Sequence, residues 1–225
     1  MNTLGRGLSL CGRYYARRQK LAIYRRFKPF TMISPQVFVE NLTLADRVKA
    51  IDGCVVECGV WRGGMSAGIA AVLGPNRKYF LFDSFEGLPP AKEIDGPAAR
   101  DWQQRTEAPD YHQNCSAESH FARQAMQQAG AKNVELVTGW FEKTVPSHRL
   151  GDPIALLRLD GDWYESTIVC LENLFNRVAP GGLIIIDDYY TWDGCSRAVH
   201  DFLSARSATE RIECSGAVCF IKKAA

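Results

Sequence analysis

Two clusters of carboxylates follow apolar stretches of this 225-residue chain, and together they could hold a metal ion. A DGD triplet (160–162) comes directly after IALLRL, and a DD pair (187–188) comes directly after LIII. Several carboxylates at one rim are costly unless a cation neutralises them. Oxygen ligands with no Cys or His nearby favour a hard ion, Mg²⁺ or alternatively Mn²⁺ or Ca²⁺. The predicted ligands are Asp160, Asp187 and Asp188.

Other polar and aromatic side chains near these clusters have two interpretations each. Asp162 could cap the helix that begins at Tyr164 instead of joining the metal site. His112 could approach a substrate or lie on the surface. The aromatic residues after the DD pair could stack on a sugar or an aromatic ring, or they could belong to the core. These aromatic residues are Tyr189, Tyr190 and Trp192.

A glycine-rich turn lies in CVVECGVWRGGMSAGIA, residues 54–70, and predicts a strand that turns into a helix around a nucleotide-like ligand. The helix start offers free N–H groups and the positive end of the helix dipole, which suit a carboxylate as well as a phosphate. Glu57 would repel a pyrophosphate, but it could face the ammonium group of an amino acid or pair with an arginine such as Arg62. The predicted binding residues of the turn are Glu57, Gly59, Gly63, Gly64 and Ser66.

Asp83 ends KYFLFD, the apolar stretch that follows the glycine turn. An acidic residue at this place accepts hydrogen bonds from ribose hydroxyls in enzymes that bind NAD and in enzymes that bind S-adenosylmethionine. Alternatively, Asp83 caps the loop after the strand. The turn lacks the G-x-G-x-x-G spacing that a nicotinamide-dependent oxidoreductase requires. Glu57 and Asp83 together favour a nucleoside that carries an amino acid.

The elements that must position these residues alternate between strand and helix from about residue 51 onward. The predicted strands are CVVECGV, KYFLFDS, VELVTG, IALLRLDGD and LIIIDDYY, with RIEC and AVCFIKK as a closing antiparallel hairpin. The predicted helices are MSAGIAAVLG (ended by Gly74), SAESHFARQAMQQAG (with Ser116 as N-cap), YESTIVCLENLFNRVAPGG (ended by Pro180) and Trp192 to about Ala208. This alternation predicts an α/β fold with a mostly parallel sheet and helices on both faces. Ligands bind such sheets at the carboxyl ends of the strands, where the unusual polar residues of this chain lie.

Composition limits the remaining possibilities. With 46% hydrophobic residues and a formal net charge of +2, the chain can bury one domain and gives no reason to propose nucleic acid as a partner. No apolar stretch predicts a transmembrane segment, and the scattered cysteines predict reduced thiols in the cytoplasm. We expect residues 1–30 to form a basic helix or arm on their own domain or on a dimer partner, and residues 31–225 to form the main domain. Residues 85–115, rich in Pro, Gly and charge, are expected to form a lid.

The ordered segments VVECGVWRGG, LFDSFEGLP, TGWFEKTVP, LRLDGDWYEST and GGLIIIDDY resemble motifs of the macrocin O-methyltransferase (TylF) family. The resemblance runs from about Thr31 to about Leu203. It implies a Rossmann-like class I methyltransferase fold with a seven-stranded sheet, and a homodimer or higher homo-oligomer. The implied reaction is Mg²⁺-dependent transfer of a methyl group from S-adenosyl-L-methionine to a hydroxyl group. This hydroxyl would belong to a sugar, either in a natural product such as an antibiotic or in a glycoconjugate. The alternatives are a catechol-type O-methyltransferase on a phenolic acceptor and, less favoured, an NAD-dependent Rossmann oxidoreductase.

The resemblance also implies roles for matching positions. Glu57 to Ser66 would surround the methionine part of the cofactor, and Asp83 with Ser84 beside it would bind the ribose. Gly139 and Trp140 would hold the adenine, and Met32 would close over the cofactor. Asp160, Asp187 and Asp188 are the implied Mg²⁺ ligands, and Asp160 is also the implied general base. The lid would select the acceptor, but the resemblance does not specify which acceptor that is. The segment before Thr31 shows no family motif, although in this family the N-terminal segment helps to form the dimer and the acceptor pocket.

Overall fold

Strands and helices alternate through residues 10–207 and 209–224, the part of the chain that the computed structural model describes. The strands are β1 (Cys54–Cys58), β2 (Lys78–Asp83), β3 (Asn133–Thr138), β4 (Ile154–Leu159), β5 (Val178–Ile186), β6 (Ile212–Ser215) and β7 (Val218–Lys222). The helices are α1 (Leu10–Phe27), α2 (Pro35–Arg47), α3 (Gly64–Leu73), α4 (Gly96–Gln104), α5 (Ser119–Ala129), α6 (Phe141–Thr144), α7 (Tyr164–Leu174) and α8 (Asp193–Ala205). The first nine residues of the predicted arm, with Arg6 among them, lie outside the described residues.

The described strands form one seven-stranded sheet in the order β3-β2-β1-β4-β5-β7-β6. Strands β1 to β5 run parallel to their neighbours, whereas β7 runs antiparallel to both β5 and β6. This confirms the predicted α/β fold, a mostly parallel seven-stranded sheet with a closing antiparallel hairpin. The chain order reverses between β1 and β4, so the crevice at the carboxyl ends of these two strands is where a ligand is expected.

The central strands are apolar throughout because both faces of the sheet are covered. Successive residues of a strand point to opposite faces. Val55 and Leu156 pack into one core with Phe38 of α2 and Ile69 of α3. The adjacent residues of the same strands face the other way, into a second core that includes residues of α7 and α8. Members of this second core are Val56, Leu157, Leu171 and Val199.

Two helix boundaries differ from the prediction. Helix α7 ends at Leu174 and a short 3-10 turn follows, so the APGG stretch predicted to end the helix belongs to β5. The physical reason is that Val178 pairs with Ile154 at the start of the parallel ladder. Helix α5 begins at Ser119, and Ser116 does not cap it, because the hydroxyl of Ser116 donates to the carbonyl of Gln113 instead, at 2.9 Å.

The predicted lid, residues 85–115, contains helix α4 and is packed against the domain. Trp102 of α4 meets Trp163 and Trp192 with ring centroids 6.4 and 6.0 Å away, and these last two rings lie 5.2 Å apart. We call these three residues the tryptophan cluster. The helix was missed because its GPAARDWQQ sequence lies among prolines and charges that are typical of loops. The aromatic burial supplies the contact that holds the segment on the domain.

The N-terminal segment forms a helix on the same domain over its described residues. Helix α1 packs against α2 and α3. Phe27 at its end is fully buried, and Lys20 forms an ion pair with Asp46 of α2. Over its described residues the segment is thus a helix on its own domain, whereas the division of the chain at residue 30 and a role in dimer formation stay predictions.

None of the helices within the described residues is both long enough and apolar enough to span a membrane.

Candidate functional site

A cavity of about 940 Å³ opens at the carboxyl ends of β1, β2, β4 and β5 and brings the two predicted clusters together. Met32, 40% exposed, lies on its wall, as does Trp140, the residue before α6. The predicted residues that line the cavity are Met32, Glu57, Gly59, Gly64, Asp83, Ser84, Trp140, Asp160, Asp187 and Asp188. Gly63, Ser66 and Gly139 are not among the described lining residues, and their contact with the cofactor stays a prediction.

The three predicted metal ligands converge in this cavity. Asp160, Asp187 and Asp188 each offer one carboxylate oxygen, and these oxygens lie within 4.8 Å of one another. Burial and then the charge of Asp162 raise the pKa of Asp188 well above its usual value, and burial raises that of Asp187. Three converging carboxylates, with no Cys or His among them, form an all-oxygen donor set that fits a hard divalent ion.

A buried arginine that the sequence analysis missed lies between the two clusters. Arg158 of β4 has no exposed surface, and its Nη1 lies 2.7 Å from Glu57 Oε1 and 2.8 Å from Asp160 Oδ2. Its Nη2 lies 2.7 Å from Asp187 Oδ1. The signal in the sequence was a single charged residue inside the apolar strand IALLRL, because a charge at a buried position needs charged partners.

Glu57 is held by protein groups on both oxygens. Oε1 accepts from Arg158, and Oε2 accepts a short hydrogen bond from the hydroxyl of Ser66. The alternative that Glu57 pairs with an arginine is therefore confirmed, but the partner is Arg158. Arg62, the arginine named as an example, has its guanidinium over the rings of Trp61 and Phe121, 4.5 and 4.9 Å from their centroids. Burial raises the pKa of Glu57 to about 7 in spite of its charged neighbour. A cationic group arriving from the cavity would favour the ionised form.

Asp83 holds the glycine turn in place. Its Oδ2 accepts from the backbone N–H groups of Val60 and Trp61 at 2.6 and 2.8 Å, and its Oδ1 accepts from Phe85 N at 2.6 Å. The loop-capping alternative therefore describes what Asp83 does in this structure. Since a carboxylate oxygen has two lone pairs, ribose binding stays compatible with these bonds and remains a prediction. Ser84 beside it closes the next turn, donating to the carbonyl of Gly87 at 3.2 Å.

The glycines of the turn are explained by close packing of the protein on itself. At Gly59, which has a φ of +92°, a Cβ would overlap the backbone carbonyl of Asp160. At Gly63 a Cβ would lie 2.7 Å from the Cα of Ala122, and at Gly64 it would lie 2.5 Å from the carbonyl oxygen of Phe30. The expected reason, approach of a ligand to the backbone, is therefore not needed to account for these residues. Contact of the turn with the cofactor stays a prediction.

Asp162 does not cap the helix that follows it. Its Oδ1 accepts from Trp192 Nε1 at 2.9 Å, and its carboxylate lies in the cavity wall. The cap of α7 comes from the lid, because Asp95 Oδ1 accepts from Tyr164 N at 2.7 Å. Asp95 Oδ2 accepts from Lys92 N at 2.7 Å, so this buried residue joins the lid to the helix that begins beside the carboxylates.

Each of the remaining aromatic and imidazole candidates packs against another ring. Trp192 belongs to the tryptophan cluster, which agrees with the core interpretation. Tyr190 is 59% exposed, and Tyr189 hydrogen-bonds with His200 at 3.0 Å. The His112 ring lies beside Trp61, with the ring centroids 6.4 Å apart.

The raised pKa values predict how stability depends on pH when no ion is bound. Burial raises the pKa of Glu57 to about 7, and burial with the charge of Asp160 raises that of Asp162 to about 8. Because both pKa values exceed those of the unfolded chain, the protonated forms of these two carboxyl groups favour the folded state. This contribution to stability is complete below about pH 4 and is lost as the pH rises through 7 and 8. We expect calorimetric unfolding to show a falling Tm between about pH 5 and 8. Added Mg²⁺ should raise the Tm more at the upper end, and a rising Tm without ion would contradict the assignment.

Comparison with known proteins places this site in a family. A model of the macrocin-O-methyltransferase (TylF) family matches residues 21–221. The chain belongs to this family. The match begins before Thr31 and ends after Leu203, so TylF-family sequence extends beyond the motifs on both sides and includes the second half of α1.

Named relatives of the chain support the same assignment. The chain is 40% identical over 174 residues to 8-demethyl-8-(2,3-dimethoxy-alpha-L-rhamnosyl)-tetracenomycin-C 4'-O-methyltransferase of Streptomyces olivaceus, covering 74% of this chain and 62% of that protein. It is 32% identical over 169 residues to mycinamicin III 3''-O-methyltransferase of Micromonospora griseorubida, covering 72% of this chain and 65% of that protein. The chain thus spans a little under two thirds of these relatives.

A solved structure confirms the predicted Rossmann-like class I methyltransferase fold. The O-methyltransferase NovP superposes with a TM-score of 0.73 at 26% identity, covering 87% of this chain and 83% of that one. The family match favours the methyltransferase interpretation over the nicotinamide alternative.

Proposed function

We propose that this chain transfers a methyl group from S-adenosyl-L-methionine to a hydroxyl group of a sugar, in a glycoside of the natural-product type, with a divalent ion such as Mg²⁺ at the carboxylates. The observation that carries the proposal is one cavity lined both by the glycine turn and by three carboxylates whose oxygens lie within 4.8 Å. Support for the sugar comes from the family and from the names of its relatives.

The cofactor end is assigned to the wall formed by β1, β2 and the start of α6. Glu57 would face the ammonium group, Asp83 the ribose, and Trp140 the adenine, with Met32 over the opening. The open N-terminus of α3, which begins at Gly64, suits the carboxylate of the methionine part. These side chains bind and orient; their contribution is to align the transferable methyl group with the acceptor oxygen.

The metal end is assigned to Asp160, Asp187 and Asp188. A divalent ion held there supplies Lewis acidity, which lowers the pKa of a hydroxyl that binds to it. The three carboxylates fix where such an ion lies, and Arg158 in turn fixes two of them. Leu88, Pro89 and Pro90 of the lid line the same cavity, and their apolar surface would help to exclude water from it.

A carboxylate must also take the proton of the acceptor hydroxyl. Asp160 is the base that the family resemblance implies, but its Oδ2 is paired with Arg158. Asp162 lines the same cavity, lies outside the three-carboxylate set, and has a pKa raised to about 8. An ion held by the other three carboxylates would lower this pKa toward neutrality, where a carboxylate takes a proton most effectively, so we propose Asp162 as a second candidate for this role.

The function is tested by incubating the protein with Mg²⁺, isotopically labelled cofactor and a panel of acceptors, and by reading products by mass spectrometry. The panel contains deoxysugar glycosides, free sugar nucleotides and catechols. Label on a sugar hydroxyl is the expected result. Label on a catechol alone would establish the phenolic alternative, and binding of NADH without binding of S-adenosylmethionine would overturn the proposal.

A change that loosens the lid should weaken the use of the acceptor without changing the affinity for the cofactor product. Asp95→Ala removes the bonds to Tyr164 N and Lys92 N, which should lower the free energy of unfolding by about 1 kcal/mol and loosen residues 85–115. We expect a higher KM for the acceptor, faster hydrogen exchange in the lid, and unchanged affinity for S-adenosylhomocysteine. Asp101→Ala, a change at an exposed position of α4, is the matched control. Equal acceptor KM values in the two variants would refute a role for this contact.

A further inference from the structure

We propose that Arg158 is a positioning residue that links the cofactor end and the metal end of the site. The inference rests on the proposed function, since it requires both ligands. Its basis is one fully buried guanidinium that contacts Glu57, assigned to the cofactor, and Asp160 and Asp187, assigned to the ion. Without Arg158, these carboxylates would repel one another in a site with little water.

The contacts join three neighbouring strands at the point where the chain order reverses. Glu57 lies on β1, Asp160 follows β4, and Asp187 follows β5. The guanidinium is planar, and its five N–H donors have fixed directions, so one rotamer sets the relative placement of all three carboxylates. Its Nε donates to Asn41 Oδ1 of α2 at 3.2 Å, and Asn41 in turn donates to the carbonyl of Val37 at 3.0 Å. The guanidinium is thereby anchored from the helix layer as well.

A lysine cannot reproduce this arrangement. Its ammonium is a point charge on a flexible stem, whereas the arginine reaches Glu57 through Nη1 and Asp187 through Nη2 at the same time. Arg158→Lys therefore keeps the positive charge and loses the simultaneous contact. Residues that orient metal-binding carboxylates change metal affinity about 10–100-fold when they are replaced. We expect a loss of this size for the ion and, because Glu57 is released by the same change, a comparable loss for the cofactor.

The experiment measures two affinities on each protein. S-adenosylhomocysteine binding is read by calorimetry and Mn²⁺ binding by electron paramagnetic resonance, with circular dichroism to confirm folding. Arg77→Lys is the matched control, because Arg77 donates to the carbonyls of Ile51 and Gly53 at 2.8 Å, at the amino ends of the strands. We expect Arg77→Lys to lower the Tm without changing either affinity, and Arg158→Lys to weaken both ligands.

The possible outcomes separate this inference from the proposed function. If the wild-type protein binds neither ligand, the proposed function fails and the link fails with it. If the wild-type protein binds both and Arg158→Lys weakens only one or neither, the link is overturned and the function stands. Should Arg158→Lys fail to fold, Asn41→Ala decides by the same two measurements: it removes the acceptor of Nε and leaves space for water. Weakening of both ligands supports the link, and any other result overturns it.

Discussion

Replacing Asp188 by asparagine is expected to lower kcat about a thousandfold, because several kcal/mol of stabilisation of the developing charge depend on the ion that this carboxylate helps to hold. Affinity for S-adenosylhomocysteine should not change, since the cofactor is assigned to the other wall of the cavity. Removal of divalent ions with a chelator should have an effect of the same size on the wild-type protein. Rates measured with saturating Mg²⁺, and again after chelation, test both statements.

The same substitution should not destabilise the protein when no ion is bound. Burial and the charge of Asp162 raise the pKa of Asp188, which means that the ionised side chain is unfavourable in the folded state. The neutral amide keeps an oxygen that can accept from Asp162 N, a bond of 2.9 Å in the wild-type protein. We therefore expect an equal or higher Tm together with the loss of activity. This combination separates an effect on catalysis from misfolding.

Asp152→Asn is the matched control for this prediction. Asp152 pairs with Lys78 at 2.7 Å at the amino ends of the strands, and its side chain is 43% exposed. Its substitution should leave both the rate and the effect of chelation unchanged. Full activity of Asp188→Asn, or full activity of the wild-type protein in chelator, would refute the metal part of the proposal.

The sheet could be predicted from local sequence, since its determinants are local. Each central strand is a short apolar stretch bounded by Gly, Pro or charged residues, and the alternation with helices restricts the topology. The carboxylates could be placed for the same reason, because residues that directly follow parallel strands meet at one edge. The structure brings Asp160, Asp187 and Asp188 together there, as the spacing predicts.

The partners of buried charges could not be predicted in the same way, because they lie far apart in the chain. Arg158 reaches Glu57 across 101 positions, and Asp95 reaches Tyr164 across 69. Local spacing suggested the wrong neighbours, Arg62 for Glu57 and Asp162 for the helix start. Each buried charge requires a charged partner, and this rule would have identified Arg158 as a residue of interest. The rule would not have predicted which three carboxylates contact it.

The sequence predicts Gly59 as a residue that lets a ligand approach the backbone, whereas the structure shows it packed against the backbone of Asp160, and this packing yields the second large effect. Gly59→Ala forces a side chain onto the carbonyl of Asp160, at a backbone position with φ of +92°. Gly74→Ala has a similar backbone problem at φ of +102°, but no described atom lies within 4 Å of the added Cβ. The strained backbone alone should lower the free energy of unfolding by about 1–3 kcal/mol in both variants. The overlap should add roughly another 1–3 kcal/mol, or more, in Gly59→Ala alone.

The difference between the two variants, measured by urea denaturation, isolates the contact between the ends of β1 and β4. Because Gly59 packs against the backbone of Asp160, the change should also displace that carboxylate and weaken Mn²⁺ binding in the folded fraction, whereas Gly74→Ala should leave it intact. Equal losses of stability would show that the glycine is needed only for its backbone conformation. Unequal losses with intact Mn²⁺ binding would show that the packing stabilises the sheet without setting the position of Asp160. Loss of both in Gly59→Ala alone would make this glycine part of the metal site, although it offers the ion no ligand.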